Sequence, residues 1–265
     1  MRIHSLAAHL RAIGFAFIMT LKQNVMDGFI LFTILIQPLL IATLALWMLQ
    51  DQAAQHAIFI VVGSGLTGLW SSLLFISGNS INAERWSGTM ELLVGQPTPI
   101  TAIIFGKNLA HVTQSLASMI LSYGVASLIF DFSLRIEEPL LFAVSLLFTI
   151  VAFVSFGLII APIFVMNPGV RGWQNALEFP IYILSGFLFP IALLPGWTTP
   201  FSYLLAPYWA AQALHGASTG DAAPTAILLN LAILSVFSLL YAFISRWLFK
   251  LMLHKTRVDA TLGMQ

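Results

Sequence analysis

Side chains able to do acid–base, metal or nucleophilic chemistry are few and scattered along this chain. Six histidines, His4, His9, His56, His111, His215 and His254, show no i, i+4 pairing with an added carboxylate of the kind that holds zinc. His56 and His215 are expected on external, solvated loops. Cysteine is absent, which excludes disulfides, thiol catalysis and thiolate-held zinc or iron–sulfur clusters. Ser185-Gly186 lacks the glycine-framed setting of an activated serine, and no Ser, His and Asp set converges. Gly106-Lys107 is followed by Asn108 and preceded five positions earlier by Thr101, so the phosphate-loop pattern fails. One carboxylate stands out by its surroundings. Glu178 lies in an otherwise uncharged stretch, where an acid can hold a cation, relay a proton or hold the fold. It sits about 8 Å along a helix from Trp173, a depth at which hydration or pairing with Arg171 is expected, and a structural role is favoured there.

The elements that carry these residues are dictated by composition. Apolar residues make up 59% of 265 positions and charged residues only 8%, so 21 Phe and 7 Trp side chains cannot be covered by the charged groups available. Lipid must cover them. A net charge of +1 supplies no basic field for nucleic acid. An ionised group at mid-bilayer costs at least about 2.5 kcal/mol, and a crossing helix needs about 20 apolar residues. Charge-free stretches therefore predict an all-α integral membrane protein of six spans, at about 28–50, 57–82, 108–130, 139–166, 173–194 and 224–245. The first is too long for the core of a cleaved leader and is expected to be retained. Residues 1–265 read as one membrane-spanning domain with no soluble domain or internal repeat.

Orientation follows from the cations, which collect on the cytoplasmic side. With both termini cytoplasmic, Arg2, Arg11, Lys22, Arg85, Lys107, Arg171, Arg246, Lys250, Lys255 and Arg257 all lie inside, and Arg135 alone lies outside. Between spans five and six, Pro195, Pro200 and Pro207 disfavour a continuous helix, and Phe201 to Ala213 would reach only about 20 Å. Residues 195–213 are therefore expected as a re-entrant or interfacial helical hairpin on the outer face, with Trp197, Tyr203, Tyr208 and Trp209 at headgroup level. Before the first span, Leu6, Leu10, Ile13, Phe17 and Leu21 recur at helical steps, which fits a helix lying along the inner interface. On span two, Ser64, Gly68 and Ser72 fall four apart and would let another helix approach closely. Phe187, Phe189 and Pro190 offer an apolar gate at the outer half of span five, although phenylalanines there more often pack or face lipid.

The most informative stretch is the loop between spans two and three. Glu84-Arg85-Trp86-Ser87-Gly88-Thr89-Met90-Glu91-Leu92-Leu93 runs into Gln96-Pro97-Thr98-Pro99, and Gly106-Lys107 opens the next span. A short helix within about 84–97 is expected, capped by Thr89 or Ser87, with Glu91 near its N-terminus and Pro97 as its stop. Leu92 and Leu93 on so short an element point to docking on a partner.

This loop resembles that of type 2 ABC transporter permeases, mostly exporters: an acidic-basic pair, Gly-Thr, an acid with two leucines, and a proline turn before Gly-Lys. Leu184-Ser185-Gly186-Phe187-Leu188-Phe189-Pro190, Leu194-Pro195-Gly196-Trp197 and Leu205-Ala206-Pro207-Tyr208 resemble the segment joining that family's last two spans. The resemblance implies a multi-pass protein of the bacterial inner membrane with no catalytic site and no bound cofactor of its own. ATP and magnesium would be bound by a separate cytoplasmic ATPase, docked on the loop through Glu84, Arg85, Gly88, Thr89, Glu91, Leu92 and Leu93. It implies a second permease copy or a paralogue, membrane lipid as a partner, and the outer segment as a gate built from Phe187, Phe189, Pro190, Pro195, Gly196, Trp197 and Pro207. The apolar, uncharged spans point to an amphipathic, lipid-like or drug-like cargo, with polysaccharide also within the family. The alternative is a secondary transporter or channel working without an ATPase, for which only Glu178 comes near to a coupling acid.

Overall fold

The structure is a computed structural model that describes residues 2–48, 53–77, 79–81, 84, 88–89, 95, 99–132, 134–166 and 173–258. Regular structure among the described residues is helical throughout, without strands. The helix α1, Arg2–Met26, ends at Asp27, whose carboxylate accepts hydrogen bonds from the backbone of Phe29 at 2.9 Å and Ile30 at 3.2 Å. That cap starts α2, Gly28–Met48. Within α2, Phe32–Ile36 widens into a π-turn, and Gln37 N–H reaches back five residues to Phe32. Pro38 supplies the cause, since it has no N–H with which to continue an ordinary ladder.

Three further long helices build the body. The helix α3, Ala53–Ser71, continues through a second π-turn, Ser72–Ser77. The helices α4, Ile100–Leu128, and α5, Pro139–Met166, follow it. Beyond them, α6 covers Trp173–Ser185, α7 covers Thr199–Tyr203 and α8 covers Ala206–Thr219. The last helix, α9, is Pro224–Val258.

Among the described residues, four helical stretches are long and apolar enough to cross a membrane: Gly28–Met48, Ala57–Ile81, Pro139–Met166 and Pro224–Lys255. They fall where the first, second, fourth and sixth spans are expected. In the most apolar 18-residue window of Ala57–Ile81, 83% is buried, against 28%, 44% and 22% in those of the others, so α3 is the axis around which the bundle packs. At 29 residues α4 is also long, about 43 Å. It carries buried Asn108, His111, Ser115, Ser118 and Ser122 along one face, which lowers its apolar character.

The expected fifth span needs correction. Residues 173–194 do not form one helix: α6 has 13 residues, about 20 Å, and stops at Ser185. The stop is a glycine cap. Gly186 takes φ +68°, Gly186 N–H bonds Ile183 and Phe187 N–H bonds Tyr182, both at 3.2 Å. The chain then turns through short 3-10 segments at Ile191–Leu193 and Gly196–Thr198. Pro195 precedes the second of these, and Pro200 and Pro207 each fall in the first turn of a helix, α7 and α8, where a missing N–H is tolerated. The expected hairpin at 195–213 also extends further, because α8 runs to Thr219, where Gly220 at φ +76° closes it.

Packing turns α8 into an insert in the bundle. Its final carbonyls, of Ala217 and Ser218, accept from the backbone N–H groups of Glu138 and Glu137 beside the start of α5. Its first residue, Ala206, meets the Tyr241 hydroxyl, seventeen residues into α9. Ala210, Ala211, Ala213, Leu214 and Ala217 are buried against α3, α5, α6 and α9.

Small residues on α3 set how closely these neighbours come. A Cβ at Gly63 would lie 1.9 Å from the Phe187 carbonyl oxygen, one at Gly65 2.6 Å from Met119, and one at Gly68 2.7 Å from Pro38. The Ser64, Gly68 and Ser72 stripe is buried in these contacts. Replacing Gly63 with Ala is expected to cost about 1–3 kcal/mol by overpacking against backbone. Gly124, which has nothing within 4 Å of the corresponding Cβ position, should tolerate Ala without loss. Thermal unfolding of both variants in one detergent checks the contrast.

Candidate functional site

Glu178 is brought to the middle of the bundle by one turn of α6 facing α3. It is 4% exposed, and its Oε1 accepts from Ser71 Oγ at 2.5 Å and from Tyr182 O–H at 2.6 Å. Ser71 Oγ and Tyr182 O–H also touch each other. Tyr182 lies four residues on from Glu178, one helical turn away, so a single face of α6 presents acid and phenol together. The expected hydration of Glu178 therefore gives way to burial between two hydroxyl donors. Arg171, its expected partner, lies outside the described residues. Among the described residues the one ion pair is elsewhere, between Lys107 and Glu84.

Around this cluster, polar side chains answer the carbonyls that the π-turns release. Gln174 Nε2 donates to Leu74 O at 2.9 Å, and Asn79 Nδ2 donates to Phe75 O at 2.7 Å. Ser118 Oγ donates to Leu35 O at 3.1 Å, and Ser115 Oγ to Ser72 Oγ at 3.1 Å. Glu178→Leu, which removes the acceptor shared by two buried hydroxyls, is expected to destabilise the protein by about 1–3 kcal/mol. Glu178→Gln keeps an acceptor oxygen and should lose less, a ranking that thermal unfolding of the purified variants reads directly.

The second cluster lies where the loop after α3 meets α4. Glu84 is helical and Gly88 stands at φ +69°, while Thr89 N–H reaches Glu84 O at 2.9 Å. This is the hydrogen bond of a glycine C-cap. The short helix expected within 84–97, capped by Ser87 or Thr89, falls mostly outside the described residues. Glu84 Oε2 accepts from Thr89 Oγ1, and Glu84 Oε1 pairs with Lys107 Nζ. Arg85, Glu91, Leu92 and Leu93, expected in the same docking surface, lie outside the described residues. The pairing of Glu84 with Lys107 across 23 positions was missed by reading the loop as a linear motif. The signal for it was an acid at one end of that loop and a base at the other.

Burial raises the Glu84 pKa, but the hydrogen bonds from Lys107 and Thr89 and the Lys107 charge outweigh it, and the carboxyl ends below its ordinary 4.5. A depressed folded-state value means that the clamp contributes in full above about pH 4.5 and is lost as the pH falls through the lower folded value. A stability profile from pH 3 to 7 should show that acid-side loss in the wild type and lack it in Glu84→Gln.

Beside this clamp, α1 is locked along α4. A Cβ on Gly106 would lie 2.5 Å from Ile13 O. Farther along, the buried Asn24 amide donates to His111 Nδ1 at 3.0 Å and to Gln114 Oε1 at 2.6 Å. On the expected interfacial helix α1, Leu10 is exposed, and so are Phe15, Ile18 and Met19, so apolar residues occupy more than one face.

The third cluster is the cleft between the α6 turn and α8. Phe187, expected at a gate, is fully buried against Tyr182, and its carbonyl accepts from His215 Nε2 at 3.1 Å. His215 is stacked on Phe59 with ring centroids 3.7 Å apart. This corrects the expected solvated loop position of His215, which is buried within α8 because Gly63 and the α6 turn close over it. His56 has no described side chain. Phe189 is half-buried, Pro190, Pro195, Gly196 and Trp197 are exposed, and Pro207 is buried. A cavity of about 490 Å³ opens here, lined by uncharged groups including Pro190, Gly196, Tyr203, Tyr208, Gln212 and His215.

Long apolar helices about a polar-bonded axis, with a half-depth insert at one end and a clamped loop beyond α3, define a multi-pass membrane protein. The family model for ABC-2 type transporter membrane proteins matches residues 11–218, most of the chain, and the chain belongs to that family. It is thereby the membrane subunit of an ABC transporter, of a kind that is generally not itself catalytic. No curated protein matches it.

Proposed function

We propose that this chain is the six-span membrane half of an ATP-driven exporter with both termini in the cytoplasm, coupled to a separate ATPase through the loop that begins at Glu84. The observation that carries this reading is the clamp of Glu84 on Thr89 and Lys107. It joins the start of that loop rigidly to the base of α4, while Gly106 and Asn24 join α4 to α1. A push on the loop is thus delivered to two helices at once, which is what rocking of a bundle between inward and outward openings requires. In this reading Arg85, Gly88, Glu91, Leu92 and Leu93 form the docking surface, and α4 and α6 complete the six spans, α6 being continued towards the outer face by the turn at Gly186.

The cargo in this reading is amphipathic. The cleft under α8 sets tyrosine rings and prolines beside amide and hydroxyl groups and lacks an ionisable carboxylate or amine in its lining, a surface suited to neutral molecules with both apolar and hydrogen-bonding parts. Phe189, Pro190, Pro195, Gly196 and Trp197 would shape its mouth, with Phe187 and Pro207 as fixed packing beneath. A second copy of the chain or a paralogue completes the conduit, in the bacterial inner membrane. ATP and magnesium stay on the ATPase. For the ATPase-independent alternative, Glu178 would have to load and release an ion, and its oxygen is already held by two hydroxyls.

The test is co-purification of the detergent-solubilised chain with its ATPase, followed by ATP-driven transport in liposomes. Gly88→Val, which a left-handed backbone resists, should cut the recovered ATPase at least about tenfold while the permease remains folded. Movement of cargo down an ion gradient by the permease alone would overturn the proposal.

A further inference from the structure

Between α1 and the base of α4 lies a cleft of about 490 Å³ whose wall includes Arg11, Phe15, Met19, Glu84, Ile103 and Lys107. Its chemistry is graded. Arg11, Phe15 and Met19 stand at four-residue steps, so they form one stripe along α1, the apolar members lying about 6 and 12 Å beyond the cation. The direction is set by packing: Ile13 lies against Gly106, whereas Asn24 bonds His111 and Gln114 farther into α4. The Arg11 end therefore lies with Lys107 and Glu84, and the Phe15 and Met19 end runs alongside the bundle.

Charge and exposure narrow the occupant. Arg11, Lys107 and Glu84 sum to one positive charge. Glu84 is engaged by Thr89 and Lys107, whereas Arg11 bonds only the Ala7 carbonyl, through Nε at 3.4 Å, among the described residues. Its two terminal amines are thus available for an anion. Phe15 and Met19 are 65% and 58% exposed, and together they offer an apolar track that ends at Thr20 and Gln23. One negative charge at the head and a long apolar body fit a phospholipid bearing a single anionic phosphodiester.

We propose that this cleft is a seat for an anionic phospholipid of the inner leaflet, its phosphate held by Arg11 and Lys107 and its acyl chain laid along Phe15 and Met19. The placement in the inner leaflet rests on the cytoplasmic orientation given above. The headgroup then sits against the Glu84–Lys107 pair, so lipid and coupling loop share one cation.

Native mass spectrometry of the solubilised full chain, titrated with phosphatidylglycerol or phosphatidylcholine, reads the site. Phosphatidylglycerol should bind at least about tenfold more tightly than phosphatidylcholine, and Arg11→Gln should erase that preference. Lys22→Gln, which removes an exposed α1 charge outside the cleft, should leave it intact. Equal loss in both variants, equal binding of the two lipids, or displacement by millimolar inorganic phosphate would overturn the proposal, as would displacement of the lipid by the ATPase. The chain has no native cysteine, so Ala7→Cys labelled with an impermeant maleimide reports orientation separately. Labelling from outside with the lipid preference retained faults only the topology, and labelling from inside with no Arg11 dependence faults only the seat.

Discussion

Everything in this bundle depends on how closely other segments can approach α3. Gly63, Gly65 and Gly68 each admit a different neighbour to a distance that a side chain would forbid: the turn after α6, Met119 of α4, and Pro38 of α2. Lipid tails are as apolar as leucine, so helices gain little from hiding apolar surface from one another within a membrane. Close packing and interhelical hydrogen bonds must supply the association instead. The small residues make both available, and the near-complete burial of α3 is their result.

Close approach also explains the polar groups. Pro38 in α2 and the slip at Ser72–Ser77 in α3 open the helical ladder, and the freed carbonyls fall within reach of Ser118 and Gln174. The same logic places Glu178: with α6 pressed against α3, Ser71 and Tyr182 reach one carboxylate oxygen. A buried acid so engaged is a tie between helices. The polar stripe of α4, poor by hydropathy, is the counterpart of these openings and lies inside the bundle, where Ser115 and Ser118 meet the Gly68 and Leu35 carbonyls.

The two ends of the bundle differ in construction. At one end α8 fills the space between α3, α5, α6 and α9 and leaves an uncharged cleft under the turn at Gly186. At the other, ionised and amide groups do the joining: Glu84 with Lys107, and Asn24 with His111 and Gln114. Strong, directional bonds thus close one end of the bundle, and packing without charge closes the other.

The amino-acid sequence by itself determined the class of protein. Charge-free runs of about 20 residues specify helices wherever lipid replaces water, because only internal hydrogen bonds can satisfy the backbone there. That reasoning needs no knowledge of neighbours, and it located four helices of crossing length and the prolines that break 195–207. The loop and outer motifs carried the family likeness in the same local way. Tertiary structure alone decided where α6 ends, how far α8 penetrates, that His215 is buried and that Phe187 is core. It also decided that Glu84 answers Lys107 and that Glu178 answers Ser71 and Tyr182. Most of these turn on segments far apart in sequence, 23 positions for Glu84 and Lys107 and 107 for Glu178 and Ser71. Such a meeting leaves no periodicity in either segment, so it becomes visible only when the helices are set side by side.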